Sequence, residues 1–110
     1  MRLRALALPL SLAAALGLSA MPATGATRTA TVKLKDDFFS PKSKTVSRNT
    51  VVTFRWAGRA PHNVVVTRGP VKFKSKTQTR GSYRKKLTRK GTYTIVCTIH
   101  PGMEMKLKVR

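Results

Sequence analysis

Between residues 27 and 110 the chain contains one cysteine, two histidines and two methionines, and all five fall in two short windows. The first is Ala60-Pro61-His62-Asn63. The second is Cys97-Thr98-Ile99-His100-Pro101-Gly102-Met103-Glu104-Met105. A thiolate, two imidazoles and a thioether are the donor set of one-electron copper sites, in which His₂Cys is trigonal and a Met is a weak axial ligand. Thiolate and imidazoles suit the cuprous ion, and the nitrogens also tolerate the cupric one. Such a site need not rearrange much when the ion changes state, which is what fast electron transfer requires. Zinc fits less well, because structural zinc takes four Cys or His ligands and only three are present. Taken singly, Cys97 could be an inert buried thiol and His62 a structural histidine. Their concentration in two windows favours His62, Cys97 and His100 as ligands.

The spacing suits one tight loop and one outside contribution. Cys97 ends a β-type run, two residues let the chain turn so that His100 faces the same point, and Pro101-Gly102 continues the turn. His62 comes from a separate loop-to-strand junction. Two methionines could supply the axial sulfur. Met105, Leu107 and Val109 alternate with the polar Glu104, Lys106 and Lys108, so Met105 reads as a core residue at a strand start. Met103 lies in the turn and is the favoured ligand, with Met105 the alternative.

The elements that must position these residues read as strands. Residues 27–110 show short alternating or β-branched runs separated by turn residues and no helical period of useful length. Strands are expected over Thr29–Lys35, Lys44–Ser47, Thr50–Trp56, Asn63–Thr67, Ser82–Leu87, Thr92–Cys97 and Met105–Val109, with Asp36–Pro41 a turn region. The segment Arg68–Thr79 is the least regular; Gly69-Pro70 marks a turn within it, and Phe73 is a candidate to enter the core. Trp56, Phe54, Phe38, Phe39 and Tyr93 are read as core. Seven or eight short strands in one small domain indicate an all-β, antiparallel β-sandwich or small barrel.

The first 26 residues read differently. Arg2 and Arg4 precede an Ala- and Leu-rich run, Ala5 to Leu18, and small residues follow to Thr24-Gly25-Ala26. This is the pattern of a secretory signal peptide, with cleavage expected after Ala26, or after Ala20 or Ala23. As an uncleaved anchor the fourteen-residue run would be short, since a span needs about 20 apolar residues. The expected organisation is therefore a signal peptide over 1–26 and one exported domain over 27–110, periplasmic, extracellular or held in the cell envelope. Small exported domains often carry disulfides, but Cys97 is the only cysteine, and a bound metal would stabilise the fold in their place.

Charge bears on partners. Without Arg2 and Arg4, 21 of the 23 basic residues remain against three acidic ones, a net charge of +18. Such a field attracts anionic partners or surfaces and speeds encounter. Nucleic-acid binders interleave aromatics with basic residues on a platform; here the seven aromatics fall mostly at core phases, so no specific nucleic acid is expected. No second metal position or acid–base pair is visible, which argues against an enzyme.

Pro61-His62-Asn63-Val64-Val65 and Thr92-Tyr93-Thr94-Ile95-Val96-Cys97-Thr98-Ile99-His100-Pro101-Gly102-Met103 resemble the two ligand segments of the cupredoxins, and among them those of the plastocyanin and amicyanin group. The similarity runs from Thr29 to Arg110 and includes the Phe-Ser-Pro turn at 39–41. It implies a Greek-key β-sandwich with a single type 1 copper near one end, bound by His62, Cys97, His100 and Met103, and a role as a one-electron carrier. It further implies that the Asn63 N–H points at the Cys97 sulfur while its side chain ties to the loop near Thr98, that the exposed edge of His100 passes the electron, and that Pro101 and Gly102 join a small docking patch. A transient, acidic redox partner, a possible anionic envelope surface, no membrane span in the mature chain and a monomeric state complete this reading. An extracytoplasmic copper carrier, scavenger or chaperone with the same ligands is the alternative. Ile99 departs from the group, which has Pro there; proline lacks an N–H, so Ile99 could give the thiolate a second hydrogen bond and raise the potential.

Overall fold

The alternating runs fold into eight strands in a computed structural model that describes residues 27–110; the signal peptide expected over 1–26 lies outside the described residues. The strands are β1 (Thr29–Lys35), β2 (Phe38–Ser40), β3 (Ser43–Val46), β4 (Thr50–Trp56), β5 (Val65–Arg68), β6 (Ser82–Leu87), β7 (Gly91–Val96) and β8 (Glu104–Val109), and no helix occurs among the described residues. They form two four-stranded sheets, ordered β2-β1-β4-β6 and β3-β8-β7-β5. Val32, Leu34, Val52, Phe54 and Trp56 point inward from the first sheet and Tyr93, Ile95, Met105, Leu107 and Val109 from the second, which closes one core between them.

The chain passes repeatedly from one sheet to the other, in Greek-key fashion, so two neighbouring pairs run parallel: β1 with β4 and β3 with β8. The sheets are mixed rather than wholly antiparallel. Alternation cannot register this, because a strand's inward and outward residues look the same whichever way its neighbour runs. The Asp36–Pro41 turn region also contains a strand: Phe38–Ser40 folds back on β1, which buries Phe39 and leaves Phe38 41% exposed, so Phe38 is not a core residue. Asn49, at positive φ in the β3–β4 turn, belongs to the residue types that tolerate that conformation.

The irregular segment 68–79 has a clear purpose. It lies along the His62 strand-like stretch, with isolated bridges His62–Gln78 and Val65–Lys74 and a Ser75 N–H bonded to the Val64 carbonyl at 2.8 Å. Phe73 enters the core. Regular strand pairing starts only at Val65, two residues later than the run Asn63–Thr67 suggests, so His62 and Asn63 precede the regular strand.

Candidate metal centre

His62 follows the loop that leaves β4, and its backbone is gripped on both sides. Its N–H and C=O exchange bonds with Gln78, each 3.0 Å, and the indole N–H of buried Trp56 donates to the same His62 carbonyl at 3.0 Å. Trp56 is thus core and clamp at once. Cys97 follows the last residue of β7. Its N–H donates to the Met103 carbonyl and the Met103 N–H donates to the His100 carbonyl, each at 3.0 Å, so the loop closes on itself. Gly102 sits at φ 85°, a left-handed conformation that favours glycine and lets the chain turn back into β8.

These two anchors bring three side chains together. The ligating atoms of His62, Cys97 and His100 all lie within 4.8 Å of one another. His62 Nδ1 is 3.8 Å from Cys97 Sγ, and the two imidazole rings are 4.6 Å apart and tilted by 50°. His62 and Cys97 are buried, while His100 is half-buried. Met103 is buried in the same loop. Met105 is buried too, but as an inward residue of β8 opposite Ile95.

The outer ring nitrogens are both committed. His100 Nε2 is 2.9 Å from the Pro61 carbonyl oxygen. A carbonyl only accepts, so Nε2 carries the proton there and Nδ1 keeps its lone pair. His62 Nε2 lies 3.4 Å from Asp36 Oδ1, which imposes the same tautomer on a buried ring. The Asp36 oxygen also accepts the N–H groups of Arg59 and Ala60, each at 2.9 Å. Those two bonds, Ala60 first and then Arg59, with His62 adding to them, hold the Asp36 carboxyl below its ordinary range. Gly58 makes the approach feasible, since a Cβ there would collide with the Asp36 carboxylate.

Asn63 stitches the two ligand segments. Its N–H points at Cys97 Sγ at 3.5 Å, its amide donates to Thr98 Oγ1 at 2.8 Å, and the Thr98 N–H donates to its carbonyl oxygen at 2.8 Å. This is the arrangement that the resemblance implies. Ile99 behaves otherwise. The backbone N–H received by the Cys97 sulfur is that of Asn63, whereas Ile99 is 44% exposed and is not among the sulfur's partners. His100 is half-buried, and its Nε2 meets the Pro61 carbonyl in an exposed contact.

Sequence reasoning missed Asp36 and the clamping role of Trp56. One signal for Asp36 was available: it is one of three acids in a very basic chain. The donor set fits copper. A buried thiol and two imidazoles converge on one point, next to a loop that carries a thioether.

The comparisons with known proteins agree. A family model described as copper binding proteins, plastocyanin/azurin family, matches residues 26–110. Among solved structures, the reduced form of a tryptophan-to-tyrosine mutant of amicyanin superposes with a TM-score of 0.68 at 26% identity, covering 80% of this chain and 88% of that one. Oxidized plastocyanin from Dryopteris crassirhizoma superposes at 0.63 with 27% identity, covering 73% and 99%. A purple cupredoxin from Nitrosopumilus maritimus, at 20% identity and 0.66 over 74% and 99%, shows the shared fold alone. No curated protein sequence matches. With three-quarters of its length matched by that model, the chain belongs to the plastocyanin/azurin family of copper-binding proteins, the cupredoxins.

Proposed function

We propose that the protein is an exported one-electron carrier, with a signal peptide over 1–26 and a single type 1 copper held by His62, Cys97, His100 and Met103 in the domain 27–110. The observation that carries this reading is the convergence of Cys97 Sγ with two imidazoles whose Nε2 atoms are already engaged, by Asp36 and by Pro61. Copper, when bound, takes up and gives back one electron.

The chain's own residues hold the ligands still. Trp56 and Gln78 fix the His62 backbone, the Asp36 and Pro61 oxygens fix the ring tautomers, and Asn63 ties the His62 segment to the Cys97 loop. Outer bonds of this type orient ligands and tune the metal. Such bracing favours electron transfer over copper delivery, which needs ligands that let go. Ile99, Pro101 and Gly102 are exposed around half-buried His100, a small apolar rim suited to brief contact with a redox partner. The charge of the chain suits an acidic one, reached through fast, salt-sensitive encounters. The role is that of a carrier rather than an enzyme, acting as a monomer in the periplasm or at the cell envelope.

The test is to add Cu(II) to the purified protein and record the visible spectrum. An intense thiolate-to-copper charge-transfer band is expected, and Cys97→Ser should abolish it. Electron self-exchange should be fast and copper release to a chelator slow; fast release with slow self-exchange would instead indicate copper handling.

A further inference from the structure

The two sheets present different outer faces. Inward residues of the first sheet alternate with Lys33 and Lys35 on β1, Arg55 on β4, and Arg84 and Lys86 on β6. The ladder places Lys33 beside Arg55, Arg55 beside Ser82, Thr53 beside Arg84 and Val51 beside Lys86. Neighbouring strands lie about 4.8 Å apart, so five cations share one face, interspersed with the hydroxyls of Thr29, Thr31 and Thr53. The four strands of this sheet contain no acidic residue. Neither ion pair among the described residues involves these cations. Like charges set directly opposite on a sheet destabilise it, and an opposing anionic surface removes that repulsion.

Two apolar side chains belong to this face, half-buried Val51 and the more exposed Phe38. Phe38 sits opposite Lys35 on β2, pointing outward and 41% exposed. An aromatic ring beside a field of lysines and arginines matches the boundary between lipid headgroups and acyl chains. A soluble phosphate polymer has no apolar phase to receive it. The Cys97–Met103 loop joins strands of the other sheet, so His100 is not part of this face, although Phe38 follows by two residues the Asp36 that meets the His62 ring.

From this, and resting on the envelope location proposed above, we propose that the protein adsorbs to anionic lipid bilayers through the outer face of the β2-β1-β4-β6 sheet, with Phe38 at the headgroup boundary. Adsorption would confine the carrier to two dimensions while the His100 end meets its partner.

The test uses the full copper-loaded chain and vesicles of phosphatidylcholine alone or mixed equally with phosphatidylglycerol. Residues 1–26 are common to every arm, so any apolar partition through them shows on phosphatidylcholine alone. Additional binding to the anionic vesicles is expected. Replacing Lys33, Lys35, Arg55, Arg84 and Lys86 by Ser should weaken that component about a hundredfold or more. Replacing Arg68, Lys76, Lys90, Lys106 and Lys108 should weaken it far less. Phe38→Ser should cost roughly fivefold on vesicles and nothing on inorganic polyphosphate. Equal losses for the two five-fold variants would overturn the proposal, as would equal binding to both vesicle types. Polyphosphate binding as tight as vesicle binding, with Phe38→Ser silent on both, would assign the face to a polymer instead. The visible band reports folding of each variant, and its absence in the wild type would count against the copper reading alone.

Discussion

Asp36 reaches the metal centre from a turn 26 residues before His62, and its Oδ1 lies 3.4 Å from that ring's Nε2. In a chain so poor in acids, a carboxylate directed at a candidate ligand is an electrostatic choice as well as a structural one. Half of its side chain remains in solvent, so the influence on the metal is moderated by water.

Removing that charge should favour Cu(I). Asp36→Asn is expected to raise the reduction potential, shifting the Cu(II)/Cu(I) ratio roughly three- to tenfold, where tenfold is about 59 mV for one electron. Asp36→Glu should recover part of the shift. Gly58→Ala displaces the same carboxylate and should move the potential in the same direction. Redox titration of the three variants checks all of this; unchanged potentials would show that Asp36 braces the loop and nothing more.

The two methionines should separate cleanly. Met103→Leu is expected to raise the potential and alter the visible spectrum, because the axial ligand tunes both. Met105→Leu exchanges one core side chain for another of similar volume, so it should leave the spectrum intact and cost less than about 1.5 kcal/mol of stability. Spectra and urea unfolding of both variants decide between the two assignments.

Ile99→Pro should be nearly silent in the potential. The Cys97 sulfur receives its backbone hydrogen bond from Asn63, so no donor to it is lost when the Ile99 N–H is removed. A clear fall in potential by redox titration would mean that Ile99 turns toward the sulfur once copper is bound.

Asn63 is expected to matter before any metal arrives. Asn63→Ala removes two 2.8 Å bonds to Thr98, and at about 1 kcal/mol for each the metal-free domain should lose about 2 kcal/mol in urea unfolding. Copper should bind more weakly as well, because its two ligand segments are no longer tied.

Tyr83 sets an alkaline limit. Burial pushes its phenol above the ordinary value of 10.0. The neutral phenol therefore contributes stability that is present in full below pH 10 and lost as pH rises through the higher folded value. Tyr83→Phe should flatten the stability profile above pH 10, measured by urea unfolding across that range.

The strands and the ligand loop were legible because they are local. Alternation in β1, β4, β6 and β8 follows from a two-residue period that any window of the chain displays, and Cys97, His100 and Met103 share one turn whose Pro101-Gly102 step is written in the residues themselves. Even so, the family resemblance, rather than spacing, supplied the role of Asn63. The sequence by itself could not place Asp36 or show that Trp56 clamps His62, nor give the direction in which β1 runs beside β4. Each of these depends on segments 6 to 26 residues apart meeting in the folded chain, and only the packing of two sheets around one core decides which distant backbone lies next to which. The same packing turns scattered lysines and arginines into a single charged face, because register, invisible in composition, sets which cations stand side by side.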